Sequence, residues 1–127
     1  MNTTNTPRCA VLGYGSWATA IVKTLTVNHH HVDWLVLNDD IQESLQTRSL
    51  NSKYLPWCYI NQEFITISND INAVVRDADI VFLAMPSAFF KKFLEPLTES
   101  LSSKIVASAV KGIIPGDYLT IVEHMNR

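Results

Sequence analysis

Short apolar runs alternate with stretches of helical periodicity from residue 8 onward. The first run, Cys9-Ala10-Val11-Leu12, predicts a strand over 8–13 that leads straight into Gly13-Tyr14-Gly15. A helix is expected over 16–27, where Trp17, Ala20, Ile21, Thr24 and Leu25 recur at helical spacing until Asn28 and His29 break the pattern. Val32-Asp33-Trp34-Leu35-Val36-Leu37 predicts a second strand over 32–37, and the carboxylates of Asp39 and Asp40 stand where they would cap a helix of residues 41–48. Residues 49–64 read as irregular around Pro56. Beyond them the pattern predicts a strand over 65–68 and a helix capped by Asn69 or Asp70 that runs through Val75. A near-continuous apolar strand over 79–84 follows, then a helix opening at Met85-Pro86-Ser87 and reaching through Leu97 to Leu101. A strand over 105–109 and a helix over 117–125 complete the reading. Alternation of this kind predicts an α/β fold, a Rossmann-like doubly wound, mainly parallel sheet with the first strand central. The unbroken apolar character of 79–84 is what a parallel strand covered on both faces requires.

The 127 residues fit one domain over 8–127, behind an extension of residues 1–7 expected to be disordered. An apolar content of 47% supplies a core, and a net charge of −2 gives no basic field for nucleic acid or an anionic membrane. The first residues lack the charged start and apolar run of a signal peptide, and no apolar stretch approaches the roughly 18 residues of a membrane span. Two cysteines, Cys9 and Cys58, make neither a disulfide framework nor a metal cluster, and Cys9 reads as a small buried hydrophobe. A cytoplasmic protein is expected. His29-His30-His31 raises the question of a metal, but three consecutive side chains cannot share one face, and no other ligand stands at suitable spacing. The segment reads as a polar turn.

Chemistry in an open α/β sheet lies beyond the carboxyl ends of the strands. Three such ends carry unusual residues: 13–17, 85–89 and 110–112. Gly13-Tyr14-Gly15-Ser16-Trp17-Ala18 has the form of a dinucleotide fingerprint. Gly13 suits the tight turn and Gly15 the close approach of a pyrophosphate. Ala18 replaces the third glycine and still lets the helix pack close to the sheet. The helix N-terminus then offers free N–H groups and the positive end of its dipole. A glycine turn that binds nothing, with Trp17 in the core, is the alternative. Phe89 and Phe90 follow a strand end, and Lys111 stands between an apolar strand and Gly112, where a lysine can meet an anion or a carbonyl.

Five motifs occur in order: Gly-Tyr-Gly-Ser-Trp-Ala-Thr-Ala, then Trp34, then Arg48-x-x-Asn51-x-x-Tyr54-Leu55-Pro56, then Ala84-Met85-Pro86-Ser87, then Val110-Lys111-Gly112-Ile113. This set, covering about residues 8–125, resembles the N-terminal domain of the NAD(P)-dependent sn-glycerol-3-phosphate dehydrogenases. The resemblance implies reduction of dihydroxyacetone phosphate to sn-glycerol 3-phosphate, a precursor of glycerophospholipids, with NAD or NADP as cofactor. It also implies that Gly15, Ser16 and Trp17 contact cofactor phosphate and that Tyr54, Pro86 and Phe89 border the cofactor. Lys111 would lie near nicotinamide and substrate, as the catalytic lysine of this chain.

Members of that family often carry an arginine just after the second strand that suits a 2′-phosphate. Val36, Leu37 and Asn38 occupy that region here, so Leu37 and Asn38 are the expected ribose neighbours, and NAD is favoured. Asp33 stands too early, and Asp39 too late, to be the acid that binds a ribose hydroxyl. The family's C-terminal helical substrate domain, with its second lysine, is absent from these 127 residues, so the chain alone is expected to bind cofactor without turnover. An exposed cleft face would favour self-association, as a homodimer. Two rival readings are a non-catalytic dinucleotide-binding or sensing domain and a related dehydrogenase acting on another hydroxy acid.

Overall fold

The computed structural model describes residues 7–85, 90–101, 104–108, 113–114 and 119–120. Strands β1 (Cys9–Leu12), β2 (Val32–Leu35), β3 (Ile65–Ser68), β4 (Ile80–Leu83) and β5 (Ile105–Ser108) form one parallel sheet of five strands in the order β3-β2-β1-β4-β5. As expected, β1 is central, with Cys9 beside Val32 on one side and Ile80 on the other. Helices α1 (Ser16–Val27), α2 (Asp39–Arg48), α3 (Ile71–Arg76) and α4 (Phe90–Leu94) fall between the strands.

Alternate residues of a strand point to opposite faces, and here both faces are covered. Val11 and Trp34 pack on one side with Ala18 and Val22 of α1, Ile41 and Leu45 of α2, and Ile60. Ala10, Leu12, Leu35, Val81 and Leu83 pack on the other with Ile71, Val74 and Val75 of α3, and Phe93 and Leu94 lie against them. Two-sided burial explains why the strands read as apolar runs.

Several expectations need correction. The face of α1 turned to the core carries Ala18, Thr19, Val22 and Thr26. Trp17, expected in the apolar stripe, is 68% exposed. Close helix–sheet packing selects the small residues, and Trp17 sits in the first turn of α1, just after the glycine loop. The cap of α2 is Asn38, whose Oδ1 accepts from the Ile41 N–H at 3.0 Å, while Asp39 and Asp40 form the first turn. Helix α4 ends at Leu94, not near Leu101. Pro96 has no N–H to continue a helix and disfavours helical geometry at Glu95. Asn72 holds the following turn, its Oδ1 accepting from the N–H groups of Thr98 (2.7 Å) and Glu99 (3.1 Å).

The helix expected over 117–125 is also corrected. Leu119–Thr120 is a strand, β7, pairing antiparallel with β6 (Ile113–Ile114). Pro115-Gly116 between them is turn chemistry, and the flanking β-branched residues favour extended backbone. The rest of that stretch lies outside the described residues, as do residues 1–6 of the expected extension.

At the amino ends of the strands, Arg8 grips Asp33 through two bonds, Nε to Oδ2 at 2.8 Å and Nη2 to Oδ1 at 3.3 Å. The Asp33 hydrogen bond and charge raise the guanidinium pKa. Asp33 is thereby engaged at the end of the sheet opposite the glycine loop. The adjacent histidines face different partners: His29 stacks on Phe64 at 5.3 Å, and the His31 Nε2 meets Thr66 Oγ1 at 2.8 Å.

Candidate functional site

From β1 the chain passes through β2 to β3 on one side of the sheet and then crosses to β4 and β5 on the other side of β1, so the strand order reverses between β1 and β4, and the crevice at such a switch point is where open α/β sheets hold ligands. Gly13 stands at the carboxyl end of β1 with φ +131°, a conformation L side chains rarely adopt. A Cβ there would lie 2.1 Å from the Ala84 carbonyl oxygen at the end of β4. Glycine is therefore required by the backbone of β4, a constraint beyond the turn the sequence suggested. Gly15 differs. Its φ is −84°, and a Cβ would meet nothing within 4 Å. It opens α1 onto free space.

Three successive carbonyls of this loop are held from inside the fold. Trp34 Nε1, fully buried, donates to Gly13 O at 2.6 Å. Asn51 Nδ2 donates to Tyr14 O at 2.8 Å. Gly15 O accepts from the Thr19 N–H at 2.9 Å and the Thr19 hydroxyl at 2.8 Å. In a trans peptide the carbonyl and the next N–H point in opposite directions, so the N–H groups of Tyr14, Gly15 and Ser16 face away from these partners. Among the described residues no side chain caps α1, and its first turn holds no acid. Among the described residues the start of α1 thus presents donors without a partner and a positive dipole end without a competing carboxylate in its first turn, an arrangement that favours an anion.

Around this loop, Ser16 is exposed and Trp17 projects from the first turn of α1. Leu37, just past β2, and Tyr54 are also exposed, at 45% and 41%. Asn51 brings the Tyr54 segment to the loop, since its Oδ1 accepts from the N–H groups of Lys53 (3.1 Å) and Tyr54 (3.0 Å). Asn38 lies in the same region, but its side-chain oxygen is committed to α2. Pro86, Phe89 and Lys111 lie outside the described residues. Asn51 and Thr19 were not singled out as functional from the sequence. Asn51 stands in the Arg48–Pro56 motif, yet the partners of its side-chain nitrogen lie 32 and 37 residues away, so no local pattern reveals its role at the loop.

The family model for the N-terminus of NAD-dependent glycerol-3-phosphate dehydrogenase matches residues 8–127. A glycerol-3-phosphate dehydrogenase (NAD(P)+) of Teredinibacter turnerae is 37% identical over 111 residues, which cover 87% of this chain and 32% of that protein. One from Leuconostoc citreum is 30% identical, over 94% of this chain and 36% of the relative. The chain therefore spans about a third of the length of these curated relatives. Among solved structures, glycerol-3-phosphate dehydrogenase of Coxiella burnetii superposes with a TM-score of 0.78 at 22% identity, over 94% of this chain and 36% of that one. The enzyme of Plasmodium falciparum gives 0.79 at 21%, over 94% and 37%. These likenesses establish the fold, and the sequence matches establish the lineage: the chain belongs to the family of N-terminal domains of NAD-dependent glycerol-3-phosphate dehydrogenases.

Proposed function

We propose that this chain is the NAD(P)-binding part of a glycerol-3-phosphate dehydrogenase that interconverts dihydroxyacetone phosphate and sn-glycerol 3-phosphate, a cytoplasmic step supplying glycerophospholipid precursors. The observation that carries the reading is the start of α1, where, among the described residues, nothing stands within 4 Å of a Cβ at Gly15 and no side chain caps the helix. The donor set fits a dinucleotide pyrophosphate: backbone N–H groups of residues 14–16, the Ser16 hydroxyl and a helix dipole. Family membership supports the same reading.

When bound, the nicotinamide supplies the hydride of the ketone reduction. The chain's own residues bind and orient. Gly15, Ser16 and Trp17 would hold the pyrophosphate, Tyr54 would border the cofactor, and Leu37 and Asn38 would neighbour the adenosine ribose. On the resemblance, Pro86 and Phe89 would border the cofactor, and Lys111, near nicotinamide and substrate, would polarise or orient the substrate carbonyl. Proton delivery to the forming alkoxide and the grip on substrate phosphate need groups besides Lys111 and the glycine loop. The 127-residue chain accordingly binds cofactor with negligible turnover of dihydroxyacetone phosphate.

Titration calorimetry with NADH on the wild type and Gly15→Val tests the reading. The branched side chain fills the space open at Gly15, and binding falls by at least about tenfold, as loss of one or two charge-assisted hydrogen bonds implies. Equal affinity of the two proteins overturns the assignment of the loop.

A further inference from the structure

The side chain of Asn51 is wholly buried and uses all four of its hydrogen-bonding positions. Nδ2 donates to Tyr14 O at 2.8 Å and to Thr19 Oγ1 at 3.0 Å. Oδ1 accepts from the N–H groups of Lys53 and Tyr54. The single proton of the Thr19 hydroxyl goes to Gly15 O, so toward Asn51 that hydroxyl can only accept. The polarity of the chain is fixed: Asn51 donates to Thr19, and Thr19 donates to Gly15 O. One buried amide therefore holds two successive carbonyls of the glycine loop, one directly and one through a hydroxyl. It thereby holds the planes of the peptides that carry the Gly15 and Ser16 N–H groups.

We infer that Asn51 is a positioning residue for the pyrophosphate of the cofactor. It aims the Gly15 and Ser16 N–H groups before the ligand arrives and, through its oxygen, keeps the Tyr54 segment beside them. The inference rests on the reading of this loop as a dinucleotide site. Hydrogen bonds weaken steeply with misalignment, and donors fixed in advance cost no reorganisation on binding. No other side chain of this size offers two donors and two acceptors: leucine offers none, and aspartate places an oxygen against the Tyr14 carbonyl where a donor is needed.

The test uses the full 127-residue chain as wild type, Asn51→Asp and Thr19→Val. Aspartate keeps the shape and both acceptor contacts and removes the donors. Valine keeps the volume and cuts only the link from Asn51 to Gly15. Binding of NADH and of adenosine, which lacks phosphate, is followed by NMR titration. NADH affinity is expected to fall about tenfold or more in Asn51→Asp and roughly three- to tenfold in Thr19→Val, as expected for one or two misdirected charge-assisted hydrogen bonds. Adenosine affinity stays within about twofold in both, because it uses neither N–H group. A variant that only loosens the fold weakens both ligands in parallel, and that result overturns the inference. Unchanged NADH affinity in a folded variant overturns it as well. Should circular dichroism show Asn51→Asp unfolded, Thr19→Val decides alone. Absence of NADH binding to the wild type removes the dinucleotide reading itself, and the inference with it.

Discussion

Gly13 and Gly15 stand two residues apart in one fingerprint, yet the structure assigns them different duties, and alanine separates the two. At Gly13 an added Cβ falls 2.1 Å from the Ala84 carbonyl oxygen and 2.7 Å from its carbon, both main-chain atoms that no side-chain rotation can move. The central strands β1 and β4 must part there, a forced overpacking worth about 1–3 kcal/mol. The φ of +131° adds backbone strain of about 1–3 kcal/mol for a residue with a Cβ. Gly13→Ala is therefore expected to lose about 2–6 kcal/mol of the roughly 5–15 kcal/mol that holds a domain of this size. At Gly15 the same Cβ enters free space at an ordinary φ, and the cost is that of a poorer N-cap, about 1 kcal/mol or less. Urea denaturation followed by circular dichroism, with the slope checked for constancy, measures both. A Gly13→Ala midpoint corresponding to less than about 1 kcal/mol of loss would refute the reasoning, since both costs are read from fixed backbone.

The other expectations concern the two ends of the sheet. Because Leu37 and Asn38 provide no cation and Asp39 and Asp40 begin α2, NADH should bind at least as tightly as NADPH; a tenfold preference for NADPH in calorimetry would assign a 2′-phosphate contact to another base, Arg48 or Lys53. Arg8→Met strips the guanidinium from a carboxylate that is only 8% exposed and has His31 Nε2 at 3.7 Å besides, and should cost about 1–3 kcal/mol in urea while leaving NADH affinity within about twofold, since this pair lies at the amino ends of the strands. Burial, followed by the charge of Asp79, pushes the Cys9 thiol above its usual 9.0, so a disulfide reagent at neutral pH should label half-buried Cys58 first and Cys9 only in urea. The folded state then holds the Cys9 proton longer than the unfolded chain, so this group's stabilising effect is complete below the unfolded pKa and is lost as pH rises above it; Cys9→Ala should lessen the loss of stability between about pH 8 and pH 10.

Local pattern determined much of this protein. The apolar runs at 9–12 and 80–83 became strands because two-sided burial in a parallel sheet leaves no polar alternation to confuse them, and at 32–35 only Asp33, held by Arg8, interrupts the apolar character. The glycine loop, a cap at Asn69 or Asp70 and the start of α1 at Ser16 were equally legible, since each depends on neighbours in sequence, and the structure places that cap on Asp70. Where apolar residues surround a helix, periodicity sets no phase: only the sheet decided that α1 buries Ala18 and Val22 and turns Trp17 out. Composition near 117–125 suited a helix, but β-strand pairing between Ile113–Ile114 and Leu119–Thr120 overrode it. Tertiary structure alone showed that the Ala84 carbonyl forbids a side chain at Gly13, that Trp34 and Asn51 hold the loop's carbonyls, and that Arg8 occupies Asp33. Those contacts join residues 21 to 71 positions apart, and a hydrogen bond between such distant groups leaves no trace in the periodicity of either segment.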